Sequence, residues 1–542
     1  MDLGADLEHW FDLEEIPYTA RYTRLFVRRG IVGLTVFEAA YERPLDASIL
    51  LSNLVITTPD GNVVDWKSAT PTGITTAAGG RLFVDEVAVH VVNLPAGYSI
   101  RWVDAEESAH QIVANEQGSV SIQCRAGELR RPRDAAARLD TQVDEWLGRC
   151  PTVSPQWADV TRLCWWVLGA NTLLLDTSSG IQRAVVPSKI GYVGLWQWDA
   201  YFIAIGLRHG DIDLAREQLQ IALSGATADG QLPDVVHENG VLASSADLPP
   251  IDLENLRATA SPSLGTGPVP LTKPPLAALA LAKVAEFDPA IIDEHLDTVL
   301  IAQEWWYQHS AQDGHPVYLH PYSSGLDDSP IFDHNAILES PDLTAYLILS
   351  DELIANWLDE RGRTREAQAC RVRAERSMKR LLSHWDAQRG FFTSVGTDGT
   401  PAKSETIVSL MPLLCDALPS VYQSALARAI VDPARFAGGH RLPTVSRSDR
   451  SFSPDRMWRG PVWINTNWLV SEGLQRHGNS ELAHQIDADS LSLVMQSGPC
   501  EYFHPDTGQK PARATTAFGW SAALTVDLAV RLSKDSPGSP TN

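Results

Sequence analysis

The sequence predicts a mainly α-helical protein in which an (α/α)6 barrel follows an N-terminal β-sandwich. Short β-branched and aromatic runs, separated by turn signals such as Asp60-Gly61, fill the chain up to about residue 130. Beyond that point apolar residues recur at helical spacing, and the pattern gives twelve helices joined alternately by short and long loops. Twelve antiparallel helices fit six hairpins closed into a ring. We therefore expect a β-sandwich-like domain over 1–130, a barrel over 131–533 and a disordered tail over 534–542.

The boundaries of the expected elements follow from these patterns. Strand character is found over 24–27, 31–37, 53–57, 82–92, 99–103 and 120–124. Helical spacing is found over 157–175, 198–208, 211–226, 275–286, 291–308, 341–359, 364–384, 403–416, 421–430, 463–476, 479–495 and 519–533. Some starts are readable, since Ser340-Pro341-Asp342 gives a capping residue, a proline at the first helical position and an acid in the first turn.

Five long loops contain most of the unusual residues, over 176–197, 227–274, 309–340, 431–462 and 496–518. Loops longer than ~15 residues are uncommon in compact domains unless they have a function. In a ring of hairpins they would gather at one mouth and form a pocket. The stretch 248–275, rich in Pro, Gly, Ser and Thr, is expected to be a loop over that pocket.

Composition excludes several classes of protein. A content of 44% hydrophobic and 20% charged residues is typical of a soluble globular chain, and a net charge of -23 disfavours nucleic acid and anionic membranes as partners. No run reaches the ~18 apolar residues of a membrane span, and the first residues lack the basic and apolar parts of an export signal. The six scattered cysteines indicate reduced thiols, so we expect a cytoplasmic protein. Asp333-His334 lacks further ligands at zinc spacing and no cofactor motif is present, so no metal or cofactor is expected.

Two of the loops place a carboxylate among glycine, proline and aromatic residues. These carboxylates are Asp327, in the segment 325–330, and Glu501, in the segment 498–503. Glycoside cleavage needs two carboxyl groups, one to protonate the leaving oxygen and one to activate water or attack. Aromatic faces suit the C–H surfaces of a sugar, and the chain has 17 Trp against 13 Phe and 12 Tyr. An exposed turn is the commoner interpretation of Asp327-Asp328, although adjacent acids also offer a way to raise one pKa.

Other candidate residues have structural interpretations of similar weight. Asp199 follows Trp196 and Trp198, but an acid at a helix start has a purely structural use. Arg459 could stack between indoles and hold a carboxylate, or fix loops. Lys189 and Lys273 could donate to sugar hydroxyls or form ion pairs.

In their order along the chain, these segments resemble glycoside hydrolase family 63, which includes α-glucosidase I and the mannosylglycerate and glucosylglycerate hydrolases and is related to the family 37 trehalases. The resemblance covers about 185–525, through the segments 187–192, 196–199, 272–275, 324–330, 458–463 and 501–521. It implies an (α/α)6 barrel, an inverting mechanism and α-linked substrates. By position it implies that Asp327 is the general acid and Glu501 the general base.

The same resemblance implies a substrate-binding set. Asp199 would hold sugar hydroxyls and four indoles would form walls, with three further residues completing the set: Trp196, Trp198, Trp458 and Trp463, then Lys273, Arg459 and Trp520. The sequence departs from the family pattern at Asp328 (often Asn), Ile331 (often Arg), Met457 (often Tyr) and Lys273 (often Gln). These departures leave the sugar and the leaving group open.

We therefore expect an inverting, exo-acting α-glycosidase, above all an α-glucosidase, that hydrolyses a short α-linked glucoside or a glycosylglycerate. Two alternatives are an inverting disaccharide phosphorylase and a catalytically inactive sugar-binding protein. Glu501 and the lack of a basic phosphate cluster argue against the first. The expected partner is a small saccharide, without nucleic acid or membrane, and a homo-oligomer is left open.

Overall fold

The N-terminal part of the chain is built from β-strands, as predicted. The computed structural model describes residues 5–177 and 180–534. Within them, the strands up to residue 123 are β1 Tyr18–Thr19, β2 Leu25–Arg29, β3 Leu34–Glu38, β4 Ile49–Thr57, β5 Val63–Val64, β6 Trp66–Thr70, β7 Gly73–Thr76, β8 Arg81–Val84, β9 Ala88–Val92, β10 Ser99–Asp104, β11 Ala109–Val113 and β12 Val120–Gln123.

These strands form two antiparallel sheets. One has the order β1-β2-β3-β4-β10-β11, with β5 beside β4, and the other has the order β12-β9-β8-β7-β6. Buried residues of both sheets, such as Ile56 and Leu82, belong to one apolar core. That core continues into the helical part through Trp165 and Leu168. The β region therefore packs on the helices and shares its core with them.

The rest of the described chain is mainly helical. Its α-helices are α1 Pro132–Leu147, α2 Pro155–Ala170, α3 Gln197–Leu207, α4 Ile212–Ser224, α5 Pro250–Ala258, α6 Ala277–Ala285, α7 Ala290–His309, α8 Pro341–Glu360, α9 Thr364–Ser383, α10 Ser420–Val431, α11 Ile464–Arg476, α12 Ser480–Ser497 and α13 Gly519–Lys534. Short strands in the connecting loops are β13 Thr172–Thr177, β14 Gly180–Val185, β15 Leu195–Trp196, β16 Val235–His237, β17 Gly240–Leu242, β18 Ala311–Gln312, β19 His315–Pro316, β20 Leu338–Glu339, β21 Trp385–Asp386, β22 Phe391–Phe392 and β23 Val395–Gly396. None of the helices in the described ranges is long and apolar enough to cross a membrane.

Eleven of the twelve predicted helices are α-helices within a few residues of the expected limits. The segment predicted at 403–416 is instead a 3-10 helix, Ile407–Leu414, that contains Pro412. Proline lacks the N–H of an α-helical hydrogen bond, which explains the difference. The helix predicted over 157–175 ends at Ala170, because the next residues form the hairpin β13–β14. The predicted disordered tail falls almost entirely on 535–542, which lie outside the described residues, while Lys534 ends α13.

Two helices were not predicted. Helix α1 has a proline at its start and buries Trp146, whose indole N–H donates to the backbone oxygen of Trp165 at 2.7 Å. Helix α5 lies in the stretch expected to be an irregular loop, and it also starts at a proline, Pro250. Helix α5 buries only Leu256 and lacks the apolar stripe of a packed helix, so periodicity did not reveal it. Helix α1 does have such a stripe, with Ala135, Leu139 and Trp146 buried at helical spacing, and the sequence-based prediction missed it.

Six helical segments contact one another in a closed sequence. The contacts run from α3 to α6, α8, the 3-10 helix Ile407–Leu414, α11 and α13, and back to α3. The remaining long helices pack against these: α4 on α3, α7 on α6 and α8, α9 on α8, α12 on α11 and α13, and α2 on α13. The loops at one end of the inner segments therefore converge.

Candidate active site

A large cavity lies where these loops converge with the β region. Its empty space is about 1450 Å³, counting the part that is open to solvent. Four of the ten residues predicted for the site line it: Asp327, Glu501, Trp196 and Lys273. Cavities that bind small ligands commonly measure ~300–1000 Å³. This one can therefore hold a disaccharide-sized molecule.

Glu501 is held by hydrogen bonds on both carboxylate oxygens. The hydroxyl of Tyr192 donates to Oε1 at 3.0 Å, and the backbone N–H of Thr515 donates to Oε2 at 2.9 Å. The Glu501 backbone N–H in turn donates to the Thr515 carbonyl at 2.8 Å, which fixes the loop between α12 and α13. Burial raises the pKa of Glu501 to about 7, while the two donors favour the ionised form and limit the rise.

Asp327 lies in a tight loop that requires glycine. The residue two positions before it, Gly325, has a φ of +69°, and a β-carbon there would lie 2.4 Å from the ring of Trp198. The Oδ1 atom of Asp327 is buried and has no hydrogen-bond partner in the described part of the chain. Burial raises the pKa of Asp327 to about 8; Lys273 opposes the rise and the carboxylates Asp234, Asp252 and Asp328 add to it.

The two carboxyl groups therefore have different environments. Asp327 is surrounded by other acids, which favour its protonated form, whereas Glu501 accepts two hydrogen bonds, which favour its ionised form. Pairs of carboxyl groups whose pKa values are separated by their surroundings are typical of acid–base catalysis. Near neutral pH this arrangement supplies a proton donor and a proton acceptor in one cavity.

Lys273 lines the cavity, but its ammonium is already bound. Its Nζ lies 2.8 Å from Asp234 Oδ1 and donates to the backbone oxygen of Tyr322, also at 2.8 Å. Burial opposes its charge, yet Asp234, Asp327 and Asp199 together raise the pKa of Lys273 above its usual value. The lysine thus compensates a group of buried acids rather than offering a free cation.

Four of the predicted tryptophans are buried beside the cavity. Trp198, Trp458, Trp463 and Trp520 are at most 3% exposed. Trp458 stacks on Trp463 with ring centres 3.6 Å apart, and Trp198 meets Trp520 edge to face at 5.1 Å. None of the four belongs to the described lining of the cavity. Their apolar rings pack on one another. That three of them, Trp198, Trp458 and Trp463, form walls for a sugar stays a prediction.

Asp199 and Arg459 are also absent from the described lining of the cavity. Asp199 is buried in the first turn of α3, outside the described lining, where burial raises its pKa well above the ordinary value. Arg459 forms an ion pair with Asp333 and also lies outside that lining. The ion pair is the loop-fixing role that the sequence left open for Arg459, and contact with a substrate carboxylate stays a prediction.

Asp328 also fixes a loop, although it lines the cavity. Its Oδ1 accepts from the backbone N–H of Trp458 and its Oδ2 from Nε of Arg456, both at 2.9 Å. Lys189, a second basic candidate, makes no ion pair within 5–177 and 180–534: its Nζ donates to Thr19 Oγ1 at 3.0 Å and to the Ala20 carbonyl at 2.9 Å. That contact ties the loop before Tyr192 to the β region.

The structure adds residues to the cavity that sequence reasoning did not single out. They are Tyr41, Glu42, Tyr192, Asp234, Asp252, Tyr322, Tyr502 and Arg513 among others. Only Tyr192, Tyr502 and Arg513 carried a signal, since all three lie in segments that resemble the family. Among residues 5–177 and 180–534, no group of three or more His, Cys, Asp or Glu side chains is arranged to hold a metal ion.

Comparison with known proteins agrees with this geometry. The family model described as "Mannosylglycerate hydrolase MGH1-like glycoside hydrolase domain" matches residues 192–521. A mannosylglycerate hydrolase of Thermus thermophilus is 30% identical over 407 residues, covering 62% of this chain and 95% of that protein. A glucosylglycerate hydrolase of Mycolicibacterium hassiacum is 25% identical over 448 residues, covering 66% and 97%. The crystal structure of a family GH63 mannosylglycerate hydrolase from Thermus thermophilus in complex with glucose superposes with a TM-score of 0.56 at 26% identity, covering 68% of this chain and 99% of that one.

Proposed function

The chain belongs to glycoside hydrolase family 63, with a domain of the mannosylglycerate hydrolase MGH1-like type. We propose that it is an inverting, exo-acting α-glycosidase that hydrolyses a short α-linked glucoside or a glycosylglycerate. The observation that carries the proposal is the presence of Asp327 and Glu501, from loops 174 residues apart, in one cavity (501 − 327 = 174). Similarity to a mannosylglycerate hydrolase and a glucosylglycerate hydrolase supports a small glycoside as the substrate, and the α linkage is what the family resemblance implies.

We propose that the helices form an (α/α)6 barrel and that Asp327 and Glu501 lie at one end of it. The closed sequence of six helical contacts, with outer helices packed on it, supports an (α/α)6 barrel, and the two N-terminal sheets that share a core support a β-sandwich. In a barrel of this kind the loops at one end surround a central pocket closed at its far side. A pocket with one opening favours removal of a single terminal sugar, which is exo action.

In the proposed reaction Asp327 protonates the glycosidic oxygen as the bond to the anomeric carbon breaks. Glu501 accepts a proton from a water molecule that attacks the anomeric carbon on the opposite face. The carbon is inverted, so an α-linked substrate releases the β-anomer. Tyr192 and the Thr515 N–H hold Glu501 in place and favour its ionised form.

Proton NMR of the first turnovers tests the proposal. The purified protein would be incubated with α-linked glucosyl and mannosyl disaccharides and with the corresponding glycosylglycerates. We expect hydrolysis without added phosphate and initial appearance of the β-anomer of the released sugar. Initial release of the α-anomer would contradict inversion, and a sugar 1-phosphate formed only with phosphate would replace hydrolysis by phosphorolysis.

A further inference from the structure

The β region contributes side chains to the catalytic cavity. Tyr41 and Glu42, in the loop that connects β3 and β4, line the same cavity as Asp327 and Glu501. Tyr41 stacks on His237 with ring centres 4.1 Å apart and parallel planes, and its ring centre lies 6.1 Å from that of Trp196. The matched family domain begins at residue 192, so this loop lies outside it.

A face of α5 lies on the same side of the cavity. Its lining residues recur at helical spacing: Ile251, Asp252, Asn255, Leu256 and Thr259. The hydroxyl of Tyr322 donates to the Asp252 backbone oxygen at 3.3 Å and lies 3.4 Å from Asp252 Oδ1, which connects α5 to the loop that leads to Asp327. Glu42 interacts electrostatically with Asp252 and Asp234.

Two acids on this side of the cavity are connected to the loop that leads to Asp327: Lys273 bridges Asp234 and the Tyr322 carbonyl, and the Tyr322 hydroxyl contacts Asp252. Asp327 interacts electrostatically with Asp234 and Asp252, whereas the groups that act on Glu501 are Thr515, Tyr192 and Lys510. In an inverting glycosidase the acid stands beside the leaving-group oxygen and the base on the opposite face of the sugar. The side of the cavity that contains Glu42 and Asp252 is therefore the side from which the leaving group departs.

The cations of the cavity are poorly placed to receive a carboxylate on this side. Lys273 is bound to Asp234 and Arg456 to Asp328. Arg513 is exposed and interacts electrostatically with Tyr502, next to Glu501. The lining contains seven carboxyl groups against these three cations: Glu42, Asp234, Asp252, Asp327, Asp328, Asp455 and Glu501. Burial raises the pKa of Asp252 only to about 6, so this carboxyl is ionised near neutral pH, and it forms no ion pair within the described residues. A like charge beside it is unfavourable, so this side of the cavity disfavours an anionic group.

Glu42 has no ion-pair or hydrogen-bond partner within the described residues, which leaves its carboxyl group available to a ligand. Burial raises the pKa of Glu42 to about 8, with additional contributions from Asp252 and Asp234. A carboxyl group that keeps its proton near neutral pH both donates and accepts hydrogen bonds. Hydroxyl groups are the complementary partners of such a group, and the ring of Tyr41 offers a flat apolar surface beside it.

We propose that Tyr41 and Glu42 of the β region, together with the cavity-facing side of α5, form the leaving-group subsite, and that this subsite receives a neutral, hydroxyl-bearing leaving group such as a second sugar or a polyol. The inference rests on the proposed function and adds to it the chemical class of the leaving group. Tyr41 and Glu42 then determine specificity, while Asp327 and Glu501 perform the reaction.

Assays with glycosyl fluorides distinguish a substitution that affects the leaving-group subsite from one that affects the catalytic centre. Wild-type protein would be assayed with an α-glycosyl fluoride, a neutral α-glycoside of a sugar or glycerol, and the α-glycoside of glycerate, in glucosyl and mannosyl series. Because fluoride makes no contact with a leaving-group subsite, Glu42→Ala should lower kcat/KM for the neutral glycoside about 10-fold, mainly through KM, and affect the fluoride far less. Glu42→Gln keeps hydrogen-bonding atoms and should recover most of the loss. Asp46→Ala, an exposed acid in the same loop, is the matched control and should behave as wild type.

Four outcomes would overturn the inference. An equal loss on the fluoride and the neutral glycoside would place Glu42 outside the leaving-group subsite. A wild-type preference for the glycerate glycoside that disappears in Arg513→Met would assign an anionic leaving group and its cation. No turnover of either fluoride by wild-type protein would reject the proposed function itself, and with it the inference. Normal turnover of the fluoride and the neutral glycoside by wild-type protein, with kcat/KM for both unchanged in Glu42→Ala, would reject the inference only.

Discussion

The hydroxyl of Tyr192 donates a 3.0 Å hydrogen bond to Oε1 of Glu501, and this bond favours the ionised form of a carboxyl group that burial otherwise destabilises. Tyr192→Phe removes the donor and nothing else of similar size. The pKa of Glu501 should then rise, and the acidic limb of the kcat/KM profile should move upward by about one pH unit. Measuring kcat/KM from pH 5 to 9 checks the shift, with Tyr422→Phe on α10 as a control. An unchanged acidic limb would contradict the role of Glu501 as the base.

The activity should have a bell-shaped pH dependence with an unusually high optimum for a carboxyl pair. The base must be ionised, so the acidic limb follows Glu501, whose pKa is raised to about 7. The acid must be protonated, so the basic limb follows Asp327, whose pKa is raised to about 8. We expect the maximum of kcat/KM between about pH 7 and 8, with both limbs belonging to the coupled pair. A maximum near pH 5 would contradict this assignment.

Replacing each carboxyl group should have a different effect on substrates with good and poor leaving groups. Asp327→Asn removes the proton donor and should lower turnover of an α-linked disaccharide about 10²–10⁴-fold. Fluoride leaves with less need of a proton, so the same variant should retain much more activity on the glycosyl fluoride. Glu501→Gln should lose activity on both substrates, because water activation is needed in each case. Circular dichroism verifies that both variants are folded, and near wild-type rates in either one would reject the pair.

Gly325 should tolerate no side chain, because its φ is +69° and a β-carbon would overlap the Trp198 ring. Gly362 has a similar φ of +72° with open space around it, so Gly362→Ala isolates the backbone cost, about 1 kcal/mol. Gly325→Ala adds the clash and displaces the loop of Asp327. We expect its free energy of unfolding to fall by clearly more than that of the control, with loss of activity. Denaturant titration of both variants measures the difference, and equal stabilities would show that the loop adjusts freely.

The sequence allowed the helices to be located, since long apolar stripes such as that of α8 survive in any packing arrangement. Sequence-based prediction was wrong where a single proline determines the local structure. Pro412 converts a predicted α-helix into a 3-10 helix, and Pro250 starts a helix in a stretch whose composition is typical of a loop.

The candidate site was predictable as far as its segments resemble a known family, and Asp327 and Glu501 do line one cavity. The direction of each side chain was not predictable. Four tryptophans beside the expected site pack on one another, and Lys273 forms an ion pair with Asp234. Glu42 carried no signal at all, because only the tertiary packing of the β region on the helices brings it to the cavity.

The loop between β3 and β4 lets substrate choice and catalysis depend on different residues. Substitutions at Tyr41 or Glu42 can change which compound is accepted while the proton transfers stay intact. Changes in this loop can broaden the range of substrates. Alternative loops grafted between β3 and β4 would change the substrate preference without altering the catalytic residues.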